Sequence, residues 1–442
     1  MRSQRKSRNQ EVDIADLYAL KAKALWQALR KEHISFWLLC LYFFFEYVRP
    51  QSLYPVLDVL PYSQILMLAA LVTQFADNSV HWVRSRQNVL FVIFSIFFTL
   101  SSILAFKPLA AWNNRNIVLS WFVVYFLTIN IVNSERRLLL FLLAFLLFSF
   151  KMSQHGVLDW ASRGFSFASY GLIGSPGYFR NSGEFAIQML IFGSLAIAFV
   201  ISLKGYWGRY KKWFMYLAAA TGYLAVIGAS SRGSQLGLAA IGIWMLLRQK
   251  GGFKGLVAML VFAGILYMVL PEKEIARFTE MGTDESSILR LAHWEYALHE
   301  VIPKHPVLGI GYANWYPYLY FMVPNGFGPV KTIQDVHNIY LQAAAELGIT
   351  GLVLFLVLAI NAFVTNAHTR RVVKDLDNRL LFNLSYGLDA GLIGYLVAGT
   401  FVTVLYYPFF WIQITMIVML NNVALKTVAQ RKKVGTSRRS AS

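Results

Sequence analysis

The sequence predicts an all-α protein, a polytopic transmembrane bundle of about 12 helices. Of its 442 residues 57% are hydrophobic and only 14% are charged, whereas charged residues make up about a quarter of a soluble domain. Several apolar runs are long enough to cross ~30 Å of hydrocarbon, in which the backbone has to satisfy its own hydrogen bonds. The short alternating strands of a transmembrane barrel are missing from the sequence. The chain is therefore expected to be an integral helical membrane protein.

Polar or basic connections separate the apolar segments, and two connections are much longer than the rest. We predict spans at residues 34–48, 60–76, 89–106, 117–132, 138–150, 185–203, 213–229, 236–247, 256–270, 349–364, 380–400 and 409–425. The bundle (34–425) then lies between a basic tail with an interfacial amphipathic helix (1–33) and a second basic tail (426–442). The long outer loops are 151–184 and 271–336, and connections of this length tend to carry function.

Positive charge is concentrated on one side of this topology. If the N-terminus is cytoplasmic, most of the 41 Lys and Arg residues lie in the inner connections and in the two tails, as the positive-inside rule requires. Both termini are then expected in the cytoplasm, and the long loops on the outer face of the membrane. The formal charge of +19 thus indicates orientation and contact with anionic membrane lipids, and argues against nucleic acid as a partner.

Three arginines stand next to apolar segments on the outer side, where cations are otherwise scarce. Arg232 lies in a short turn between two spans, Arg180 just before a span, and Arg290 on a helix predicted over Ser286–Val301. A guanidinium binds phosphate oxygens through two parallel hydrogen bonds and always keeps its charge. These residues are therefore candidate ligands of a diphosphate at the membrane surface. Pairing of each arginine with a nearby carboxylate is the structural alternative.

His337 is the candidate proton acceptor, because imidazole titrates near neutrality and this residue closely precedes an apolar span. A helix N-terminal residue with only local hydrogen bonds is the alternative. Three other histidines of the second long loop, His293, His299 and His305, form no HExxH or paired His/Cys pattern. We therefore interpret them as loop residues and predict neither a metal site nor a cofactor.

The order and spacing of these residues resemble the bacterial O-antigen ligase and polymerase superfamily. The resemblance rests on His337-Asn338 followed by Gly348 and Gly351, on Ser-Arg-Gly at 231–233, on Arg290, Leu291 and Trp294, and on His-Pro-Val-Leu-Gly-Ile-Gly-Tyr at 305–312. Each motif alone has little specificity. Their order, spacing and common outer location make the set fairly specific, over roughly residues 179–364.

The resemblance implies an inverting, metal-independent glycosyltransferase of C-type membrane architecture in the bacterial inner membrane. The implied donor is a glycan on undecaprenyl diphosphate, and the acceptor of a ligase is a lipid A-core sugar hydroxyl on the periplasmic face. By matching position, His337 would activate the acceptor hydroxyl, while Arg232 and Arg290 would bind the leaving diphosphate. Further candidates for diphosphate or substrate binding are Arg180, from its location alone, and Asn338, Tyr312 and Trp294.

Alternatives to a ligase remain open. A polymerase of the same superfamily is the second candidate and differs in acceptor. A protein O-glycosylation ligase also fits, with a weak indication from the stretch Tyr47–Gln51, which is similar to an exosortase-associated subgroup. From another class, a lipid-linked oligosaccharide transporter would have a similar size and charge. A transporter predicts two related halves and charges along a central path. Here the charged candidates gather on one face, which favours an enzyme.

Overall fold

The computed structural model describes residues 12–167, 171–248, 282–324, 326 and 332–439, together with positions 257, 264, 268, 272 and 275. Side chains are described as far as residue 432. Over this part of the chain every regular element is helical and no strand is present, which confirms the predicted all-α class. The first eleven residues of the N-terminal tail and the last three of the C-terminal tail lie outside the described residues.

The α-helices are numbered here in chain order. They are α1 (Ile14–Tyr18), α2 (Ala22–Arg30), α3 (Ile34–Tyr47), α4 (Pro50–Leu53), α5 (Tyr62–Thr73), α6 (Arg86–Ile103), α7 (Pro108–Ile131), α8 (Glu135–Ser162), α9 (Ser182–Leu203), α10 (Arg209–Gly228), α11 (Arg232–Arg248), α12 (Glu285–Tyr296), α13 (Ile302–Lys304), α14 (Trp315–Met322), α15 (Ile339–Val373), α16 (Arg379–Ala398) and α17 (Pro408–Arg439). A π-helical turn, Ala297–Val301, joins α12 to α13, and 3-10 turns lie at Pro55–Leu57, Gln74–Ala76, Lys204–Tyr206, Lys374–Leu376 and Gly399–Phe401.

Helices coincide with all the predicted spans that fall on described residues. Six segments of the described part are long and apolar enough to cross a membrane: α6, α8, Ser182–Tyr206, Ile339–Leu376, Arg379–Phe401 and Pro408–Lys432. The other coinciding helices are shorter or less apolar. The predicted span 256–270 lies outside the described residues except at positions 257, 264 and 268. The count of twelve therefore stays a prediction.

Helix α9 lies at the centre of the bundle and α6 at its edge. In the most apolar window of α9 89% of the residues are buried inside the protein, compared with 33% for α6. Helix α9 packs against α10 and α16. Helix α6 buries Phe91 and Phe94 and leaves Ile93 and Ile96 exposed. An exposed aliphatic face of this kind is stable in contact with lipid chains, because it leaves no polar group unsatisfied.

The structure adds detail to two of the predicted segments. Helix α8 continues to Ser162, so the first third of the predicted loop 151–184 is helical. The chain beyond Phe150 is polar but contains no proline or glycine before Gly156, and polar helix formers extend a helix out of the apolar layer. The single amphipathic helix expected within 1–33 is divided into α1 and α2, because Leu20 takes a left-handed conformation with φ of 51°.

Candidate functional site

Four helices begin around one cavity of about 270 Å³. They are α9, α11, α12 and α15, and a helix N-terminus carries a partial positive charge. The cavity is lined by residues of these helix starts and of one crossing segment: Asn181, Ser182, Gly183, Glu184, Ser230, Ser231, Arg232, Gly233, Ser286, Arg290, Asp335, His337, Phe401, Val402 and Thr403. Arg232, Arg290 and His337, separated by up to 105 positions in the sequence, thus face the same space. Helix N-termini converging in this way favour an anionic ligand.

The start of α9 shows how the local sequence builds one wall of this cavity. Asn181 Oδ1 accepts a hydrogen bond from the Gly183 N–H at 2.8 Å, and the Glu184 carboxylate accepts one from the Asn181 N–H at 3.2 Å. This reciprocal pair is a capping box. It fixes the first turn of the most buried helix of the bundle, and with it the position of the cavity wall.

Residues 334–338, called the histidine segment below, form no regular secondary structure and are held by side chains of other elements. The Gln334 N–H donates to His293 Nε2 at 3.0 Å, and the Gln334 carbonyl accepts from Trp315 Nε1 at 2.9 Å. Two residues further on, the Val336 carbonyl accepts a hydrogen bond from Trp294 Nε1 at 2.7 Å. The backbone directly before His337 is therefore fixed on both sides by α12 and α14.

The second half of the histidine segment is fixed equally well. The His337 N–H donates to Thr403 Oγ1 at 2.9 Å, and His337 itself takes a left-handed conformation with φ of 47°. Asn338 Oδ1 accepts from the N–H groups of Tyr340 and Leu341 at 2.9 and 3.1 Å, which caps α15. A left-handed non-glycine residue costs about 1–3 kcal/mol and persists where its surroundings determine it. Here these hydrogen bonds supply that constraint.

The glycine-rich stretch 305–312 supports the start of α15 through backbone contacts. Ile310 N donates to the Ala345 carbonyl at 2.9 Å, and Ile349 N donates to the Pro306 carbonyl at 2.7 Å. Helix α15 is interrupted between these bonds at Gly348, with φ of 72°. A Cβ at Gly348 would lie 2.3 Å from the Val307 carbonyl oxygen, and one at Gly309 would lie 2.3 Å from the Glu346 carbonyl carbon. Glycine is required at both positions, because backbone meets backbone there.

Arg232 makes a two-point ion pair with Asp284, the residue preceding α12. Arg232 Nη1 and Nη2 lie 3.0 and 2.9 Å from the two carboxylate oxygens. The hydroxyls of Ser286 and Ser287 donate to the same carboxylate, each at 2.6 Å. The Arg232 guanidinium beside it holds the pKa of Asp284 well below its usual range, with further lowering by the two serines. The structural alternative considered for the arginines, pairing with a carboxylate, is thus present for Arg232.

An apolar slot of about 190 Å³ adjoins the cavity. Its walls include Leu236, Leu291, Trp294 and Phe401, and Arg232 and Arg290 border both spaces. The two arginines therefore stand at the boundary between a polar compartment and an apolar one. This arrangement suits an anionic group carried on a hydrocarbon chain.

The environment of His337 keeps its imidazole neutral. Burial, followed by the nearby Arg290 cation and by His293, lowers the pKa of His337 to about 4. A neutral imidazole has one nitrogen ready to accept a proton. Burial also lowers the pKa of His293, whose Nδ1 donates to the Leu289 carbonyl at 2.7 Å while Nε2 accepts from Gln334. His293 is thus a neutral structural residue, and sequence reasoning had assigned it no role.

The other predicted site residues lie around the cavity without lining it. Arg180 is exposed, one residue before the cavity wall. Asn338 is used in capping α15, and Trp294 borders the apolar slot while its N–H holds Val336. Tyr312 is 5% exposed, donates to the Asn114 carbonyl at 3.2 Å and packs on Tyr406. The structure therefore gives supporting contacts to the last three, and brings only Arg232, Arg290 and His337 to the cavity.

Sequence reasoning missed several residues that shape the site. Asp284, Thr403 and Asp335 belong to no recognisable motif in the sequence, and only the fold brings them to the cavity that contains His337 and Arg232. Asp335 lines the cavity, and burial raises its pKa. His293 and Trp294 follow Arg290 in the same helix, but their spacing fits ordinary helix packing equally well. The sequence alone therefore does not predict that they hold the histidine segment. Among the described residues no group of three or more His, Cys, Asp or Glu side chains is arranged to hold a metal ion.

The fold and the site together describe a helical membrane protein with a polar cavity that contains two arginines and a histidine, next to an apolar slot. Residues 217–356 match a family model described as O-antigen ligase. The match confirms the resemblance to the O-antigen ligase and polymerase superfamily, and it contains Arg232, Arg290 and His337 but not Arg180. It supports a membrane glycosyltransferase-like enzyme acting on lipid-linked glycans. No curated protein matches the chain.

Proposed function

We propose that this protein is an O-antigen ligase, which transfers a glycan from undecaprenyl diphosphate to a lipid A-core sugar hydroxyl on the periplasmic face of the inner membrane. The observation that carries the proposal is the convergence of Arg232, Arg290 and His337 on one cavity at four helix N-termini. Positioned cations and helix ends stabilise a departing diphosphate, and a neutral imidazole accepts the proton of the incoming hydroxyl.

The reaction is a single displacement. The acceptor oxygen forms a bond to the anomeric carbon of the glycan, while the bond from that carbon to the diphosphate oxygen breaks with inversion. The acceptor proton goes to His337, and the electron pair of the broken bond stays on the diphosphate. Arg232 and Arg290 offset the added negative charge, which is the interaction that grows toward the transition state. No protein-bound intermediate is needed.

The apolar slot is the proposed binding site for the lipid chain of the donor. Leu291, Trp294 and Phe401 form a wall that begins where the two arginines end. A polyprenyl chain in this slot places its diphosphate between the arginines. The same chain anchors the donor while the glycan extends into the polar cavity, so binding of the lipid part positions the reacting carbon.

The experiment is transfer by the purified full-length protein, with undecaprenyl diphosphate-linked glycan as donor and lipid A-core as acceptor, with and without a chelator. Wild type is compared with His337→Ala and with His299→Ala, which alters an exposed histidine of the same loop. We expect product from wild type and His299→Ala, and a loss of about 10²–10⁴-fold in His337→Ala.

The outcomes separate the alternatives. Lengthening of donor chains on one another, without product on lipid A-core, identifies a polymerase, and transfer to protein identifies a protein O-glycosylation ligase. Full activity of His337→Ala contradicts the role of His337. Movement of the glycan lipid across vesicle membranes with no new glycosidic bond identifies a transporter. Loss of product on adding the chelator contradicts the metal-independent mechanism.

A further inference from the structure

A second and larger cavity, of about 600 Å³, opens at the same end of the bundle. It lies between the end of α3, the start of α5 and the middle of α7, outside the region 217–356 that the family model matches. The residues that matter for its chemistry are Glu46, Gln51, Asp58, Tyr62, Asn116 and Tyr178. The mechanism proposed above uses none of them.

The lining of this second cavity is chemically suited to sugar hydroxyls. Carboxylates and side-chain amides offer several hydrogen-bond acceptors and donors, and the tyrosines offer flat faces. Gln51 is 8% exposed, and its Oε1 has no hydrogen-bond partner within the described part of the chain. With Arg49 as the one cation against Glu46 and Asp58 in the lining, a strongly anionic ligand is disfavoured.

Apolar side chains form part of the lining of the second cavity. Met67, Leu68, Leu119 and Val123 line it, and Leu68 and Leu119 are 54% and 42% exposed. The space therefore combines polar groups with exposed apolar side chains, which suits a sugar chain on a lipid anchor.

The two cavities are separated by one short stretch of chain. Tyr178 lines the second cavity and Asn181 lines the first, three residues later, so their Cα atoms are at most about 11 Å apart. The ring of Tyr178 packs on Tyr407 at 5.2 Å, and the Tyr407 hydroxyl is hydrogen-bonded to Glu184 of the first cavity. A sugar chain of two or three units spans such a distance.

We propose that the second cavity binds neutral core sugars of the acceptor glycolipid, whose terminal hydroxyl then reaches His337. This inference rests on the proposed function and names a second substrate site for it. The donor lies in the first cavity and the apolar slot, and the acceptor approaches from the opposite side of the stretch 178–181. The two lipid substrates thereby enter from different sides of the bundle.

The kinetic test compares two substitutions on the same helix. Asn116 is exposed and lines the second cavity, whereas Asn113 is exposed and does not. With saturating undecaprenyl diphosphate-linked glycan, Asn116→Trp is expected to raise the KM for lipid A-core at least tenfold, because the ring fills the cavity. Asn113→Trp is expected to leave this KM unchanged, and the donor KM should not change in either variant.

Asp58→Ala, also at an exposed position, is expected to raise the acceptor KM without filling space. An unchanged acceptor KM in Asn116→Trp and Asp58→Ala overturns the proposal.

A binding test separates failure of this inference from failure of the proposed function. Full-length His337→Ala protein is titrated with lipid A-core and with lipid A that lacks the core sugars. We expect lipid A-core to bind at least tenfold more tightly, and Asn116→Trp in this background to remove the difference while Asn113→Trp retains it. Equal binding of the two lipids overturns the sugar site. If wild type makes no product but the difference is present, the site stands and the proposed transfer reaction is wrong.

Discussion

The histidine segment and the arginine pair, Arg232 and Arg290, face each other across one cavity but are held in different ways. The histidine segment is fixed by neutral hydrogen bonds from Trp294, Trp315 and Thr403, which no ligand of the cavity replaces. Arg232 is held by the carboxylate of Asp284, a group with the same two-oxygen geometry as a phosphate. The proton acceptor is therefore preorganised, whereas the cation site contains a contact that an anionic substrate can exchange.

This difference has an energetic consequence for the donor. Replacing Asp284 by a diphosphate at Arg232 exchanges one pair of charge-assisted hydrogen bonds for another, so the number of bonds changes little. The gain comes from the greater negative charge of the diphosphate beside Arg290 and the helix N-termini. The histidine segment needs no rearrangement in the same step. Binding energy is then available for positioning the glycan.

The largest effect is expected from the arginine pair itself. Arg290→Lys keeps the charge and removes the fixed two-point geometry, so kcat/KM for the donor should fall about 10²-fold. Arg180→Lys is the matched control, because Arg180 is exposed and lies outside the cavity lining. Steady-state rates at varied donor concentration test both. A larger loss in Arg180→Lys than in Arg290→Lys would place the diphosphate elsewhere.

The histidine segment should respond to loss of a single anchor. Trp294→Phe removes the hydrogen bond to the Val336 carbonyl and keeps an aromatic wall in the apolar slot. We expect kcat to fall about tenfold with little change in donor KM, since a neutral hydrogen bond contributes ~1 kcal/mol and its loss loosens the backbone at His337. Trp207→Phe removes a comparable bond, 2.8 Å to the Tyr18 carbonyl, at the other end of the bundle.

The control distinguishes positioning from general stability. Both tryptophan variants should lose similar thermal stability, but only Trp294→Phe should lose turnover. Equal losses of turnover in Trp294→Phe and Trp207→Phe, or unchanged kcat in both, would mean that the anchoring of the histidine segment is not what prepares His337.

Much of the fold and the central part of the site were predictable from the sequence. Apolar runs located the helices, and the motifs identified Arg232, Arg290 and His337, which do line one cavity. The partner of Arg232 was not predictable, because Asp284 is 52 positions away and the loop carries other carboxylates. The type of a residue also does not reveal which way its side chain points in the fold. Asn338 and Trp294 were predicted to bind substrate, and this stays a prediction; the contacts that the structure adds are those of Asn338 Oδ1 with the first turn of α15 and of Trp294 Nε1 with the Val336 carbonyl.

Two glycines, one in the 305–312 stretch and one in α15, show the same limit of prediction from sequence. The motif marks Gly309 and Gly348 as related features of a family, but a pattern of letters does not say that the two backbones touch. The second cavity, described above, is even harder to predict from the sequence. It is assembled by parts of three helices and of the connections between helices, with no shared motif, so periodicity and spacing contain no signal for it.

A smaller effect, of opposite sign, is expected from the exchangeable contact. Asp284→Asn removes the charge that competes with the donor for Arg232, so the donor KM should fall about fivefold while kcat changes less. Glu285→Gln is the control, because Glu285 is an exposed neighbour in the first turn of α12. A rise in donor KM for Asp284→Asn would mean that Asp284 mainly orients Arg232 and does not compete with the substrate.

The smallest effect at neutral pH concerns the charge state of His337. Its pKa in the free protein is lowered to about 4, first by burial and then by the Arg290 cation. The neutral form is the active base, so kcat/KM should be flat near neutrality and fall only as the pH drops through about 4. Bound diphosphate offsets the Arg290 charge, which should move the acid limb of kcat upward by about one pH unit relative to that of kcat/KM. Measuring both limbs tests the electrostatic link between the arginine pair and the histidine segment. If the acid limbs of kcat and kcat/KM coincide, or if kcat/KM falls near the ordinary imidazole pKa of 6.5, the arginine pair and the histidine segment are not electrostatically linked.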